Sequence, residues 1–506
     1  MRVLLVTPVN PVTYQSIPDL GLGYLATFLQ EAGHTVDIVD CVNRGWDHDR
    51  LIRHVGATRP DVVGFKAFYT DIPSIRESAR RIRRSWPDVM LVVGGPHPSC
   101  VDAEEALATF PECHFAFKGE AELGFPVLVG LTGAWRDGTL QDNALAAIPG
   151  MVWQNRSGEA IENAGRYTNR LDEVRPAWDL LRPLDYDFSQ TFYSKNRRVA
   201  PVIATRGCPP PCTFCAAHLT SGKPIRARSV DSVLGEISHL METYGVQEIS
   251  FIDDFFTGSK SFVKALCREI LRRGMRFDWA CWGVRLASLD EEMLRLMDQA
   301  GCYAFSVGVE SGSPRILEHM AKHLTVDVIE EKLRLIDAVT DIRVGGLFII
   351  GYPAETEDDI RLTIEFARRI PLFMATFYPF NPLPGTPIYR EMLANGELPE
   401  APDWGTYGPE GFAYCPQHLD PEQLRRLYRK AYLRFYTQPR RVVRLLNDFR
   451  ETGQLRFFAT RFRRRIVGSI VNEFQGIRGR QGSWERAAAG RRVKDAPAPS
   501  TLWPAL

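Results

Sequence analysis

Residues 206–218 read RGCPPPCTFCAAH, with three residues between Cys208 and Cys212 and two between Cys212 and Cys215. A four-iron, four-sulfur cluster is normally held by four cysteine thiolates. A loop that supplies only three thiolates leaves one iron open to a small molecule. Gly207 and the prolines at 209–211 favour a stiff, non-helical loop that can direct several sulfurs at one centre. The pattern therefore predicts an iron–sulfur site.

Two other interpretations fit the same residues. A structural zinc site needs a fourth Cys or His ligand, and His218 lies three residues after Cys215. The cysteines could also be buried thiols without any chemistry. The cluster interpretation is favoured because a motif of this kind needs a matching context, and the surrounding chain provides one.

Composition limits the class of protein. The chain has 506 residues, 45% of them hydrophobic and 24% charged, which is typical of a soluble globular protein of two or three domains. The net charge of +1 gives the whole molecule no electrostatic preference for nucleic acid. No apolar run approaches the roughly 18 residues of a membrane span. The first residues indicate a strand and not a signal peptide, and ten mostly scattered cysteines predict free thiols in a reducing cytoplasm.

The first part of the chain, residues 1–130, alternates short apolar runs with helical patterns. This order predicts an α/β unit with a doubly wound, Rossmann-like parallel sheet. Such sheets bind ligands beyond the carboxyl ends of their strands, where we expect Gly94, Gly95 and Gly119. Because no GxGxxG follows the first strand, a dinucleotide site is not expected.

The next segment, residues 131–199, is predicted to connect two domains. Residues 130–147 are rich in Gly, Asp and Asn and indicate a linker. A small hairpin is expected from residue 148 to 161. Residues 171–187 combine prolines with apolar residues, which suits an ordered strap between domains.

Residues 200–390 contain six β units with helices between them, which predicts a partial (β/α)6 barrel. Polar or glycine motifs follow the strands, where barrels of this class place their functional groups. Asp253 and Asp254 follow the second strand, Arg285 the third and Glu310 the fourth. The alternative for each acid is a solvated or helix-capping carboxylate; Asp254, for example, could cap the following helix.

The remaining chain is predicted to be a helical cap over residues 391–477 and a disordered tail over 478–506. A basic amphipathic helix at 457–474 could contact an anionic membrane surface or substrate. The alternative is a packed helix with a solvated arginine face. Nucleic-acid binding is not expected, because no known nucleic-acid recognition motif accompanies the positive charge.

The cysteine spacing resembles the signature of the radical S-adenosylmethionine (SAM) enzymes. The resemblance implies that a [4Fe-4S] cluster binds the amino and carboxylate groups of SAM at its open iron. It also implies that Phe214 packs near the adenine and that the residues at the barrel strand ends contact SAM. The SAM-contacting set is Phe214, Asp253, Asp254, Arg285, Glu310, Gly351 and Pro353.

Three segments near the start of the chain look like the cobalamin-binding domain of cobalamin-dependent radical SAM enzymes. They read GLGYL at 21–25, GGPHPS at 94–99 and KGEAE at 118–122. The Asp-x-His-x-x-Gly element of other cobalamin proteins is absent, as in the radical SAM subgroup, so no residue is assigned as a cobalt ligand. The alternative is a domain that keeps the fold without the cofactor. The implied cobalamin contacts are Gly21, Gly23, Gly94, Gly95, His97, Gly119 and Glu120.

The family implies cleavage of SAM to methionine and a 5′-deoxyadenosyl radical, followed by methyl transfer from cobalamin to an unactivated carbon of a small-molecule or natural-product substrate. An external electron donor such as flavodoxin or ferredoxin is implied as a partner. The alternatives are a radical cyclase, rearrangement or dehydration enzyme without methyl transfer, and a non-catalytic metal-binding protein. Tyr303, Tyr352 and Tyr378 are candidate hydrogen donors in the cavity.

Overall fold

A computed structural model describes residues 1–10, 17–186, 194–399, 402–408 and 411–451. The predicted basic helix at 457–474 and the predicted tail at 478–506 lie outside these ranges. Among the helices that the model does describe, none is both long enough and apolar enough to cross a membrane.

The first sheet lies in the amino-terminal part of the chain. Its strands are β1 (Arg2–Thr7), β2 (Thr35–Asp40), β3 (Val62–Lys66), β4 (Met90–Gly94), β5 (Phe115–Phe117), β6 (Met151–Gln154) and β7 (Ala160–Glu162). Their spatial order is β2-β1-β3-β4-β5-β6-β7. The first five strands pair in parallel, which confirms the doubly wound sheet. The predicted hairpin forms as β6 and β7 and extends this sheet with two antiparallel strands.

Helices cover both faces of the first sheet. Along β1, Val3 and Leu5 face one apolar cluster, whereas Leu4 and Val6 face a second cluster on the other side. This alternation follows from the two-residue period of a strand. The helices of this part are α1 (Leu20–Glu31), α2 (His48–Thr58), α3 (Ile72–Ser85), α4 (Pro96–Cys100), α5 (Ala103–Thr109), α6 (Phe125–Gly130), α7 (Thr132–Arg136), α8 (Asp142–Ala146) and α9 (Trp178–Leu181).

The described parts of the predicted connecting segment contain short helices. Residues 130–147, which the composition assigned to a linker, include the short helices α7 and α8, with Leu145 buried in the core. The strap that carries α9 packs on α1, and the indole Nε1 of Trp178 donates to Glu236 at 2.9 Å. The strap therefore contacts both halves of the molecule.

The second sheet forms the predicted open barrel. The strands from this half are β8 (Val199–Val202), β9 (Thr205–Arg206), β10 (Arg226–Ala227), β11 (Glu248–Phe251), β12 (Asp278–Val284), β13 (Cys302–Glu310), β14 (Arg343–Ile350) and β15 (Met374–Pro379). Six of them are parallel in the order β8-β11-β12-β13-β14-β15, while β9 and β10 form a separate antiparallel pair. The partial (β/α)6 barrel is therefore confirmed.

The helices of the second half follow its strands and continue into the carboxyl-terminal region. Several begin at a side-chain cap; Ser229, for example, accepts from the N–H of Ser232 at 3.2 Å. They are α10 (Ala217–Ser221), α11 (Val230–Tyr244), α12 (Lys260–Arg272), α13 (Glu291–Gln299), α14 (Pro314–His319), α15 (Val326–Val339), α16 (Glu357–Arg369), α17 (Pro387–Ala394), α18 (Pro421–Tyr436) and α19 (Pro439–Glu451).

The contact between α1 and the strap depends on Gly23. A Cβ atom at this position would lie 2.5 Å from Leu181 Cδ1 and 2.9 Å from Pro176 Cβ. Gly23→Val should therefore lower the free energy of unfolding by about 2 kcal/mol or more, because the strap must shift. Gly133→Val is the matched control, since a Cβ atom at this helical glycine meets nothing within 4 Å. Chemical denaturation measures the free energy of unfolding of both variants. Equal losses of stability in the two variants would contradict the packing role of Gly23.

Candidate cofactor site between the two sheets

A cavity of about 280 Å³ lies where the carboxyl ends of the strands of the two sheets face each other. Both sheets contribute to its wall, which includes apolar and charged side chains. The residues from the first half that matter here are Gly21, Tyr24, Lys66, Gly94, Gly95, Gly119, Glu120 and Glu122. Those from the second half are Thr205, Arg206, Ser221, Asp253 and Asp254.

The glycines leave bare backbone at the edge of the first sheet. Gly95 has φ +103°, and a Cβ atom there would lie 3.1 Å from Lys66 Cγ and 3.2 Å from the amide nitrogen of Ala67. Gly119 has φ +67° and donates its N–H to Ser99 Oγ at 2.9 Å. Positive φ favours glycine, and side chains at these positions would narrow the cavity. The bare edge fits a bulky cofactor that lies against the backbone.

One charged pair in this wall was not predicted. Lys66 ends β3, and its Nζ lies 2.6 Å from Asp19 Oδ2. Asp19 also caps α1, because its Oδ1 accepts from the N–H of Leu22 at 3.2 Å. Asp253 was predicted as a site residue because it lies at the carboxyl end of a strand. Lys66 lies at the same kind of position, so the same criterion could have identified it.

Two predicted cobalamin contacts need correction. Gly23 does not line the cavity, because it faces the strap instead. His97 is fully buried, and its ring lies 5.3 Å from Tyr69, 5.7 Å from Phe110 and 5.1 Å from Trp404, measured between centroids. Neither ring nitrogen has a hydrogen-bond partner among the described residues, and burial lowers the pKa of His97 to about 4. It is a neutral core residue.

The loop that carries the three cysteines is held at several points. Gly207 has φ +99°, and a Cβ atom there would overlap the carbonyl oxygen of Pro224. The N–H of Cys208 donates to Gly222 O at 2.9 Å. Thr213 donates its N–H to Met320 O at 3.1 Å, and its carbonyl accepts from the N–H of Ile388 at 3.1 Å. These backbone bonds fix the loop without the help of regular secondary structure.

All three thiols are free and half-buried. Burial raises the pKa of Cys208 to about 12, with further contributions from Cys215, Asp254 and Cys212, so the three thiols lie within electrostatic reach of one another. Burial likewise raises the pKa of Cys215 to about 11. Across the described ranges, no three His, Cys, Asp or Glu side chains are grouped as ligands of one metal ion. In a four-iron cluster each thiolate binds a different iron, so a cluster does not require the three sulfurs to reach a single metal ion.

The two aspartates after β11 have different environments. Asp253 is buried; its Oδ1 accepts from the N–H of Ala204 at 3.1 Å and from both the N–H and the hydroxyl of Thr205. Its Oδ2 is buried and has no hydrogen-bond partner in the described structure, and burial raises its pKa to about 7. Asp254 is accessible at the cavity wall, and desolvation raises its pKa. A cationic amine could be bound between them.

Glu310 and Lys322 are buried beside the cysteine loop, and the half-buried Arg285 contacts them. Lys322 Nζ lies 2.6 Å from Glu310 Oε1, and Arg285 Nη2 donates to the carbonyl oxygen of Lys322 at 2.9 Å. Glu310 has φ +65°, a left-handed conformation that is uncommon for glutamate. The structure thus brings together two predicted residues, Glu310 and Arg285. Lys322 was missed, since no motif in the sequence marks it.

The turn after β14 is held by a carboxylate that was not predicted. Gly351, at φ +85°, and Tyr352 donate their N–H groups to Glu355 Oε2 at 2.6 and 3.3 Å. Glu355 is fully buried, its Oε1 has no hydrogen-bond partner in the described part of the chain, and burial raises its pKa to about 8. Pro353 lies half-buried in the same turn. Phe214 packs against the apolar cluster that contains Tyr352.

The three tyrosines do not share a location. Tyr303 lies near the start of β13, at the edge opposite the cysteine loop, where its hydroxyl donates to Glu248 Oε1 at 2.6 Å. The prediction that it reaches the cavity is therefore corrected. Tyr352 is fully buried, and its hydroxyl contacts Thr213 Oγ1 at 2.9 Å and His319 Nδ1 at 3.2 Å. Tyr378 lies near the end of β15 and is 37% exposed.

Comparison with known proteins agrees with this arrangement. The B12 binding domain model matches residues 6–129, and the radical SAM superfamily model matches residues 202–367. An uncharacterized methyltransferase of Pyrococcus horikoshii is 30% identical, over 88% of this chain and 94% of the relative. Cytidylyl-2-hydroxyethylphosphonate methyltransferase of Streptomyces wedmorensis is 24% identical, over 85% of this chain and 89% of the relative.

A solved structure has the same fold. The radical SAM methyltransferase TsrM of Kitasatospora setae, determined with tryptophan substrate and a SAM analogue, has a TM-score of 0.63 and 21% identity over 85% of this chain and 83% of that chain. The chain belongs to the cobalamin-dependent radical SAM enzymes, whose cofactors are cobalamin, SAM and a [4Fe-4S] cluster.

Gly207→Ala should disrupt the cysteine loop. The new Cβ overlaps Pro224 O at a positive φ, so we expect a loss of about 2 kcal/mol of stability and less bound iron after anaerobic reconstitution. Gly274→Ala is the matched control, because Gly274 has φ +63° but open space around it. If both variants retained as much iron as the wild type, the close approach of the loop to Pro224 would not matter.

Glu355→Gln should change how stability depends on pH. The pKa of Glu355 is raised from 4.5 to about 8, so its contribution to stability is full below pH 4.5 and is lost as the pH rises through 8. Glutamine does not titrate. The free energy of unfolding of the variant, relative to that of the wild type, should therefore rise by roughly 1.4 kcal/mol per pH unit over that interval. Denaturant unfolding between pH 5 and 9 measures this. Glu365→Gln is the control, because the side chain of Glu365 is 53% exposed. If the plots of stability against pH were parallel for Glu355→Gln and the wild type, the raised pKa of Glu355 would be refuted.

Proposed function

We propose that this protein transfers a methyl group from cobalamin to an unactivated carbon of a small-molecule or natural-product substrate. The observation that carries the proposal is a cavity whose wall comes from both sheets. The glycine edge of the first sheet and the strand ends of the second sheet face the same space. Two cofactors bound at these edges would therefore act on one substrate.

The cysteine loop would hold the cluster through Cys208, Cys212 and Cys215. When bound, the cluster and SAM supply the radical that removes a hydrogen atom from the substrate, and cobalamin supplies the methyl group. The unpartnered Oδ2 of Asp253 and the accessible Asp254 would accept hydrogen bonds from the ammonium group of SAM. Arg285 would face its carboxylate.

The other residues position this set. Lys322 pairs with Glu310 and so orients that carboxylate, which we assign to SAM. Glu355 holds the turn of Gly351 and Pro353, which we assign to the adenine side. Gly21, Gly94, Gly95 and Gly119 would accommodate cobalamin, because their bare backbone leaves the cavity wide. Apolar side chains in the cavity wall, such as Leu22 and Phe125, would help to exclude water from the reacting groups.

The electron that starts the reaction would come from an external donor such as flavodoxin or ferredoxin. All ten cysteines are free thiols in the structure, which supports work in a reducing cytoplasm. A basic membrane-contacting helix at 457–474 stays a prediction, because it lies outside the described residues.

Anaerobic reconstitution with iron, sulfide and cobalamin tests the cofactors. The wild type should bind about four irons and Cys212→Ala markedly fewer, because the variant lacks one of the three ligands. Reduced wild-type protein should convert SAM to 5′-deoxyadenosine, whereas Cys212→Ala should not. Cys267→Ala is the matched control, since Cys267 is a buried thiol of α12 outside the loop.

The products separate the alternatives. S-Adenosylhomocysteine that appears only with added cobalamin supports methyl transfer. 5′-Deoxyadenosine without cobalamin-dependent S-adenosylhomocysteine would contradict methyl transfer and favour a radical cyclase or rearrangement enzyme. Iron binding with neither product would leave a non-catalytic metal-binding protein.

A further inference from the structure

Four largely buried charges join the two halves of the molecule next to the cavity. Arg206 Nη1 lies 2.7 Å from Glu122 Oε1 and 3.3 Å from Glu120 Oε2. Arg226 forms a two-pronged pair with Glu120, in which Nη1 lies 3.0 Å from Oε2 and Nη2 contacts Oε1. The exposed fractions of the four side chains are 12%, 17%, 9% and 9% for Arg206, Arg226, Glu120 and Glu122. We call these four residues the charge quartet.

The quartet connects two specific elements. Glu120 and Glu122 follow β5 of the first sheet. Arg206 and Arg226 are paired with each other in the β9–β10 ribbon, and the cysteine loop runs between them. The quartet therefore ties both ends of that loop to the glycine edge of the first sheet.

Aromatic rings fix the planes of the two guanidinium groups. Arg206 lies over the ring of Tyr24 at 4.6 Å, and Arg226 lies over the ring of Tyr167 at 4.2 Å. Arg226 Nη2 also donates to Ser221 O at 3.0 Å. Planar guanidinium groups that are stacked and paired at the same time have little freedom to rotate.

The burial of four charges contributes little net stability to the fold, because the cost of desolvation offsets much of the attraction between the charges. Such groups are best explained by geometry, since each carboxylate accepts only from donors in defined positions. Three members of this network, Arg206, Glu120 and Glu122, also line the cavity.

We propose that the charge quartet is a positioning device that fixes the separation between the cysteine loop and the cobalamin cavity. Its residues act through the loop and the sheet edge and are positioning residues for the two cofactors. Charge neutralisation within the quartet leaves the three thiols and the glycine edge in place but loosens their relative position. The inference rests on the proposed function, because that proposal assigns cluster and cobalamin to these two elements.

Glu122→Gln tests the proposal, because it removes one charge and keeps the shape of the side chain. The matched control is Glu162→Gln, which breaks the exposed pair between Glu162 and Lys118, at 2.6 Å, within the first sheet. Both variants and the wild type are reconstituted with the cluster and cobalamin. Iron and cobalamin are counted, and pulsed electron paramagnetic resonance measures the distance between the spins of the reduced cluster and of cobalt(II) in cobalamin.

Glu122→Gln should keep its iron and cobalamin but show a broadened or shifted interspin distance, while Glu162→Gln should match the wild type. A distance distribution in Glu122→Gln identical to that of the wild type would overturn the proposal. If Glu122→Gln does not fold, the same interspin distance is measured in Arg206→Lys. Lysine keeps the positive charge but lacks the planar guanidinium group that pairs with both Glu120 and Glu122. A wild type that binds no cluster or no cobalamin would refute the proposed function itself, and this inference with it.

Discussion

The polarity of parallel sheets is the constraint on which this structure depends. Strands β1 to β5 of the first sheet are parallel, and so are the six strands of the open barrel, so the residues that follow these strands collect at one edge of each sheet. The two edges face each other across one cavity. The cysteine loop follows β9, and the arginines at its two ends, Arg206 and Arg226, pair with Glu120 and Glu122 at the edge of the first sheet. The proposed function therefore depends on residues from the edges of both sheets and not on one motif.

Local patterns predicted most of the scaffold. Helix α5 begins directly after Asp102, whose side chain accepts from the N–H of Glu105. The six strands of the open barrel were recognisable from short apolar runs between amphipathic helices. Strand ends also identified Asp253 and Asp254, which line the cavity. These features follow from the period of the backbone and from capping, both of which involve neighbours in sequence.

Side-chain direction and long-range contacts were not predictable from the sequence. His97 stands in a glycine-rich loop beside cavity residues, yet its ring is surrounded by Tyr69, Phe110 and Trp404, and Trp404 lies about 300 residues away along the chain. Lys322 has no motif around it, and its partner is defined only by the fold. The hairpin of β6 and β7 was expected, but its pairing with β5 required the register of the folded sheet.

The central claim is that the cysteine loop holds a cluster with one iron open to SAM. Electron–nuclear double resonance of the reduced, reconstituted protein with SAM carrying ¹⁵N in its amino group tests it most directly. The account predicts a hyperfine coupling between this nitrogen and the cluster spin, because the amino group binds the open iron. Absence of the coupling in protein that contains both the cluster and bound SAM would contradict the account.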